Sequence, residues 1–439
     1  GTTVSGAIRL RYHKKPGGFG NFLAGFFFDP VGDDGEAAAR PQNPNADWAS
    51  GTYRDFLEYL ARHARDLPDY ARTAAAPHKS VFLEIPKLEL ERMGLEAPPV
   101  EERNIRATLE FVASKRDRAD FGMLGLLRVL YRYGDSRLLS RRLRESIERV
   151  VLRHKYWIDE PGRDGMCYCT ENHQIAHHTA ELLAGQRFPD RVFANNGRDG
   201  DWHRAHAETM IRRWIEWRAR FGFSEWNSGY YHVNLATLAD LVDFAEDPTI
   251  RRRSRMLMDL ILFHMAVHSH GTNFGCTKGR SGAPASLSDY HVPTRLVQNL
   301  VFDEGPTTYR ISPFAITLAT SAYRLPPVIR AIAREEPDEL VARERHSLNV
   351  EEAADFGVDP ARPEDLWFFW GAQVWNHRRV IENSLAQCPP HHFLYGRIKR
   401  AHDRYRRCEA EGTPCNPDPN HQAMTEANVY TFRTPEFML

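Results

Sequence analysis

The sequence predicts a mainly α-helical protein whose helices form an incomplete ring of paired helices, an α/α toroid. From residue 51 onward, apolar residues recur at helical spacing in roughly a dozen segments. Few segments have strand character, and the loops are of very uneven length, which argues against a regular short-repeat solenoid. Hydrophobic residues make up 42% of the 439-residue chain, so a substantial core can be built.

The predicted helices follow one another along the chain. The first has Phe56, Tyr59 and Leu60 on one face. "ADFGMLGLLRVLYRYGD" and "RAHAETMIRRWIEWRARFG" end at Gly134 and Gly222, because glycine commonly stops a helix. Later helices are predicted near 313–335, 364–387 and 391–409. Strand character is limited to "HKSVFLEIPKLEL" and the terminal "NVYTFRTPEFML".

These elements predict three parts of the chain. Residues 1–50 are rich in Gly, Pro and Asp and are predicted to be irregular. Residues 51–420 form the toroid. Residues 421–439 are predicted to be a linker or strand that leads to a further domain, because "TFRTPEFML" stops in strand-like sequence.

Charge and hydropathy exclude two classes of protein. Lys+Arg and Asp+Glu are balanced at 58 each, whereas a dedicated nucleic-acid binder usually carries a basic excess. No apolar stretch approaches the length of a membrane-spanning helix. We therefore expect neither a nucleic-acid partner nor a membrane partner.

The six cysteines give little information on compartment. They contain no CxxC pair, and "CYC" has the wrong spacing for a zinc knuckle. Most are expected to be buried free thiols, although Cys408 and Cys415 can form one disulfide.

The first candidate site is "MCYCTENHQIAHHTAELLAG", residues 166–185. Thr170 is predicted to cap a helix, which places Asn172, His173 and Gln174 on its first turn. This polar trio can bind an anionic or hydroxyl-rich ligand, or it can simply belong to a capped, histidine-bearing surface. His173 and His177 share a face, but no third ligand is evident, so we predict no metal.

Two further segments add candidate residues. In "FGFSEWNSGYYHVNL", residues 221–235, a helix is predicted to start near Tyr230, Tyr231 and His232. The positive end of a helix dipole would ease ionisation of a phenol there, and one tyrosine is expected to pack while the other points outward. In residues 264–282, a Gly-rich loop carries the candidates His270, Lys278 and Arg280. This loop can bind an acidic sugar or a phosphate, or it can simply be a solvated loop.

The pair "TENHQ" and "SGYYH" resembles the heparinase-type and alginate-lyase-type polysaccharide lyases. In these enzymes an Asn, often followed by His, opens an inner helix, and a Tyr precedes a His in Ser-Pro-x-Tyr-His. Asn172-His173 and the segment from Ser228 to His232 match these motifs, with Gly229 in place of the proline. The resemblance spans about residues 100–300 and implies a toroid followed by a C-terminal β-sandwich that this chain lacks.

The resemblance implies β-elimination on an anionic polysaccharide or oligosaccharide, with no cofactor, in a secreted or periplasmic protein. It implies catalytic roles for Tyr231 as base and acid and for Asn172 as the group that neutralises the carboxylate, and His173 and His232 are candidates to share these tasks. Tyr230 is then expected to pack. The candidate substrate-binding residues are Gln174, Glu225, Tyr230, His270, Lys278 and Arg280.

Two alternatives remain open on the same toroid. A glycoside hydrolase needs two carboxylates, for which Glu171 and Glu225 are the candidates beside the two motifs. A non-catalytic carbohydrate-binding protein would use the same tyrosines and histidines only for packing or binding.

Overall fold

A computed structural model of the chain describes residues 49–271, 273–280, 294–303, 311–416 and 423–439. The predicted irregular segment at 1–50 lies outside these ranges except for its last two residues, which begin the first helix. The described chain is mainly helical, as predicted. Its first eleven helices are α1 (Ala49–His63), α2 (Tyr70–Ala74), α3 (Pro77–Ser80), α4 (Ile85–Arg92), α5 (Glu102–Ala113), α6 (Ala119–Tyr133), α7 (Arg141–Val151), α8 (Glu171–Arg187), α9 (Gly200–Phe221), α10 (Tyr231–Phe244) and α11 (Pro248–Val267).

The second half of the chain has shorter helices and a pair of strands. The helices are α12 (Thr294–Gln298), α13 (Pro313–Ala319), α14 (Pro327–Arg334), α15 (Leu366–Gly371), α16 (Ile381–Gln387) and α17 (Tyr395–Glu411). The strands are β1 (Leu340–His346) and β2 (Ala427–Arg433). They pair antiparallel, from Leu340 opposite Arg433 to His346 opposite Ala427.

Local signals explain where the longest helices begin and end. The Asp199 carboxylate accepts the Trp202 N–H at the start of α9, and Gly222 ends that helix with a φ of 71°. Helix α11 starts with the carboxylate of Asp247 as its cap and with Pro248 in the first turn, where its missing N–H costs nothing.

Helices α6, α8 and α10 pack on one another at the centre and are buried on nearly every face. Helices α5, α9 and α11 pack outside them, each with part of its surface exposed. Side chains on the first turn of α8 or α10 therefore lie at the ends of central helices, inside the protein rather than on its outer surface.

A second hydrophobic cluster joins the C-terminal helices α15 to α17 to the end of α9 and to the segment before α8. The β1–β2 pair packs on the C-terminal end of α11, where the Arg433 guanidinium donates to the carbonyls of Ala266 and Ser269. Cys408 and Cys415 form a disulfide, as the sequence allowed.

Three sequence expectations are corrected by the fold. The predicted strand at 78–90 consists of α3, a 3₁₀ turn (Val81–Leu83) and α4, because this apolar run is buried as helix. The predicted helix at 313–335 is two helices, since Pro326 and Pro327 interrupt it. The predicted helix at 364–387 is also divided, into α15 and α16.

No helix in the described ranges combines the length and the apolar character that a membrane span requires.

Candidate functional site

The site begins at the first turn of α8, which is fixed by Glu171. This buried carboxylate pairs with the Arg218 guanidinium and accepts the backbone N–H groups of Ser224 and Glu225. The contacts join α8 to α9 and to the segment between α9 and α10. Glu171 is therefore a structural group, and it brings the two candidate segments of the sequence together.

Asn172 is the next residue, and its side chain is only 1% exposed. Neither its amide nitrogen nor its amide oxygen makes a hydrogen bond with any residue that the structure describes. A buried polar group without a partner costs about 1–3 kcal/mol, so folded proteins rarely keep one without a reason. Both the donor and the acceptor of the amide are left unsatisfied by the residues that the structure describes.

His173 forms an ion pair with Asp120 of α6. Its Nδ1 lies 2.8 Å from Asp120 Oδ2, and its ring stacks on Phe121 with 4.6 Å between centroids. Burial alone would lower the pKa of His173, but the charge of Asp120 raises it to about 9. His173 is consequently an imidazolium at neutral pH, with its ring orientation fixed.

Cys167 lies beside this ion pair. Ligand atoms of Cys167, His173 and Asp117 lie within 4.8 Å of one another, and the sulfur of Cys167 is 3.5 Å from that of Cys169. The hydrogen bond from Cys169 lowers the pKa of Cys167 to about 6, with a further contribution from the charge of His173. Within this pair the thiolate form is therefore favoured at Cys167 and the thiol form at Cys169.

The opposite side of the site is formed by Glu225, Arg280 and Tyr230. The Arg280 guanidinium donates to Glu225 Oε1 at 2.9 Å and lies 4.3 Å from the centre of the Tyr230 ring. Burial raises the pKa of Glu225, and the nearby charges of Arg280 and His173 only partly offset this effect. Because the Glu225 N–H donates to Glu171 at the start of α8, the segment after α9 and the start of α8 lie side by side.

The burial of the two adjacent tyrosines is the reverse of what the sequence led us to expect. Tyr231 is fully buried, its hydroxyl accepts the Asn227 N–H at 3.0 Å, and its ring packs against Phe223 and Phe274. Burial raises the pKa of Tyr231 well above its usual value, so desolvation outweighs any help from the helix dipole. Tyr230, which was expected to pack, is the partly exposed one.

His232 is also buried. Its Nδ1 donates to the Gly229 carbonyl at 2.6 Å, and its ring packs edge-on against Phe314. Burial lowers the pKa of His232 to about 3, so the ring is neutral across the physiological range. Its contacts hold the turn that leads into α10.

Three of the predicted binding residues are engaged in holding the chain together. The Gln174 amide donates to the Trp367 carbonyl at 2.9 Å, which ties α8 to α15. His270 donates to the carbonyl of Pro435 at 3.1 Å, and Lys278 donates to that of Phe274 at 2.8 Å. None of these contacts involves Asn172 or His173.

A carboxylate ligand beside His173 and His177 was not evident from the sequence, but Asp120 supplies one. One ligand atom from each of these three residues lies within 4.8 Å of the other two. However, Asp120 and His173 already neutralise each other, and His177 Nε2 donates to the Cys167 carbonyl at 3.1 Å. These contacts favour proton and charge chemistry here over a metal centre.

Sequence reasoning missed Asp117, Asp120 and Cys167, and also Asn227, whose buried amide is likewise unpaired among the described residues. Asp120 is 53 residues from His173, so no local pattern connects them. We name the group formed by Asp120, Asn172, His173, Glu225, Tyr230 and Arg280 the α8 site.

Comparison of the chain with protein-family models, with curated proteins and with solved structures found no match.

Proposed function

We propose that the protein is a polysaccharide lyase that cleaves a uronate-containing polysaccharide by β-elimination, on helices arranged as an α/α toroid. The observation that carries the proposal is the unpaired amide of Asn172, which lies beside the imidazolium of His173. A uronate carboxylate would satisfy the amide donor and would be stabilised by the adjacent positive charge.

The first requirement of the reaction is stabilisation of charge. Removal of the C5 proton of a uronate places a second negative charge on its carboxylate group. Asn172 offers a neutral donor, while His173 and Arg280 offer cations that are held in position by their ion pairs with Asp120 and Glu225. Preorganised donors of this kind are each worth roughly 3–4 kcal/mol in the transition state.

The second requirement is a base and an acid. Tyr230 is the better base of the tyrosine pair, since it is partly exposed beside Arg280, whereas Tyr231 is buried and its hydroxyl is occupied by Asn227. In this scheme Tyr230 takes the C5 proton, the C4–C5 double bond forms and the C4–O4 bond breaks. His173 donates its proton to the leaving oxygen, and each proton transfer contributes on the order of 10²–10⁴-fold.

A glycoside hydrolase is the less favoured candidate. It needs a pair of available carboxylates, but Glu171 is engaged with Arg218 and with two backbone N–H groups. Glu225 alone does not provide the pair.

A panel of uronate polysaccharides tests the proposal. We expect both ultraviolet absorbance from the new conjugated double bond and new reducing ends. Reducing ends without absorbance would indicate a hydrolase. Neither signal, combined with retained binding, would indicate a carbohydrate-binding protein.

The adjacent tyrosines provide a matched pair of variants, because the same atom is removed from neighbouring positions. We expect Tyr230→Phe to lower the rate at least 10²-fold and Tyr231→Phe to retain most of it, since the latter loses only the acceptor for Asn227. The reverse result would restore Tyr231 as the base, as the family resemblance implies.

A further inference from the structure

Three histidines surround the carboxylate of Glu344 at the contact between α11 and the β1–β2 pair. His264 Nδ1, His268 Nε2 and His346 Nε2 lie 2.8, 3.1 and 3.0 Å from the same oxygen, Glu344 Oε2. All three rings are buried. We name these four residues the Glu344 cluster.

Hydrogen bonds to Glu344 do not satisfy all three imidazoles of this cluster. Three ring nitrogens compete for one carboxylate oxygen, and the fully buried His268 Nε2 lies 3.1 Å from Glu344 Oε2 without the geometry of a hydrogen bond. The other nitrogen of that ring, Nδ1, is 2.7 Å from Thr431 Oγ1 of β2. If Nδ1 donates to this hydroxyl, the Nε2 lone pair is directed toward the centre of the cluster.

The spacing approaches that of a tetrahedral metal centre. Bonds of about 2.0–2.1 Å to zinc require ligand atoms about 3.3–3.4 Å apart. The three nitrogen–oxygen distances are already close to this value. The ligand atoms of His264, Glu344 and His346 all lie within 4.8 Å of one another, and His268 must approach the other two histidines to complete the set. His346 Nδ1 accepts the Phe223 N–H at 3.4 Å, which is a long hydrogen bond. This bond must be lost if His346 coordinates through Nε2, because its proton then lies on Nδ1.

Glu181, a buried carboxylate that also has three histidines near it, provides the contrast. Glu181 uses both oxygens: Oε1 accepts from His203, and His206 Nδ1 lies within 3.0 Å of each oxygen. The third ring, His178, is 3.6 Å away and packs on Trp157. Burial would lower the pKa of His206, but Glu181 raises it to about 9, so an imidazolium neutralises this carboxylate without a metal.

From this geometry we infer that His264, His268, His346 and Glu344 bind a divalent transition-metal cation of the zinc class, which joins α11 to β1. Imidazole nitrogens with one carboxylate oxygen are ligands that zinc accepts in protein sites. Because four protein side chains are present, three of them buried imidazoles and the fourth the Glu344 side chain that is 9% exposed, the site is structural, and its substitution leaves the chemistry of the α8 site unchanged in the folded protein.

The test is the affinity of the full chain for Zn²⁺ after treatment with a chelator, measured by competition with a chromophoric chelator. We expect one equivalent to bind to the wild type. Glu344→Gln and His268→Asn should each weaken binding by more than about 100-fold, and Thr431→Val, which removes only the partner of His268, by about 10–100-fold. Glu181→Gln is the matched control, and it should bind as tightly as the wild type.

X-ray absorption at the zinc edge identifies the ligand atoms in the wild-type protein. This measurement therefore does not require that any variant fold correctly. We expect nitrogen and oxygen ligands with the outer-shell scattering of imidazole. Sulfur scattering would assign the cation to Cys167 instead and overturn the inference. Less than one bound equivalent, or unchanged affinity in Glu344→Gln, would also overturn it.

Discussion

The α8 site and the Glu344 cluster both combine buried histidine with a carboxylate whose side chain is at most 9% exposed, but they leave different groups unsatisfied. In the α8 site one imidazole pairs with one carboxylate, His173 with Asp120, and the unpaired group is the neighbouring amide of Asn172. In the Glu344 cluster three imidazoles share one oxygen, and His268 Nε2 lies 3.1 Å from that oxygen without making a hydrogen bond. An amide suits a polar organic ligand, whereas an imidazole nitrogen suits a cation.

The largest expected effect is that of Asn172→Ala, which should lower the activity of the α8 site without lowering the stability of the fold. Asn172→Ala removes a side chain that has no described partner, so we expect the rate to fall about 10²–10³-fold while the free energy of unfolding does not fall. Asn383→Ala is the control, because its amide donates to the carbonyls of Pro360 and Arg362. It should lower stability and leave the rate per folded molecule unchanged. A large loss of stability in Asn172→Ala would mean that its amide is structural.

The next effect concerns the stability of the Glu344 cluster. Glu344→Gln leaves three buried imidazoles without their carboxylate, and breaking a buried charge pair typically costs about 3–5 kcal/mol. We expect chemical denaturation to show a loss of this size, with the rate per folded molecule retained. Unchanged stability together with lost activity would mean that Glu344 acts in catalysis. It would contradict the distinction between a structural Glu344 cluster and a catalytic α8 site.

The pH dependence of the α8 site should be of intermediate size. The pKa of His173 is raised to about 9, so the imidazolium predominates below that pH. Its ion pair stabilises the fold fully below the usual pKa of 6.5, and this contribution is lost as the pH rises through about 9. The rate should fall over the same upper range if His173 is the acid.

Asp120→Asn tests this assignment, because it removes the charge that raises the pKa of His173. We expect the falling limb of the pH–rate profile to move to lower pH, while unfolding measured at the same pH values corrects for stability. A limb that stays in place would exclude His173 as the titrating group.

The smallest effect is a difference in thiol reactivity. The pKa of Cys167 is lowered to about 6 and this residue is partly exposed, whereas burial raises the pKa of Cys388 to about 12. Iodoacetamide at pH 7 should therefore modify Cys167 before Cys388, as mapped by peptide mass spectrometry. Equal labelling of the two would contradict the charged environment assigned to the α8 site.

Local signals in the sequence were sufficient for the helix ends around the α8 site but not for contacts between distant segments. The start of α8 after Thr170, the end of α9 at Gly222 and the start of α10 at Tyr231 were all predicted from neighbouring residues, although the Thr170 hydroxyl does not make the predicted capping hydrogen bond. The ion pair between Asp120 and His173 depends on the packing of α6 against α8, for which no local pattern exists.

Burial explains the remaining differences from expectation. The run at 78–90 has an apolar content that suits either a strand or a buried helix, and tertiary packing selected the helix. The order of Tyr230 and Tyr231 could not be predicted because both lie in the same turn, and only the three-dimensional packing decides which is desolvated.

The central claim is that the unpaired amide of Asn172 receives the carboxylate of a uronate. Calorimetric titration of a short oligosaccharide from the cleaved polymer, compared with its carboxyl-reduced form, tests the claim in the wild type and in Asn172→Ala. We expect the wild type to bind the carboxyl-reduced ligand at least about tenfold more weakly, which corresponds to the loss of roughly one charge-assisted hydrogen bond. For Asn172→Ala we expect a much smaller difference between the two ligands. An equal effect of reduction on both proteins would contradict the claim.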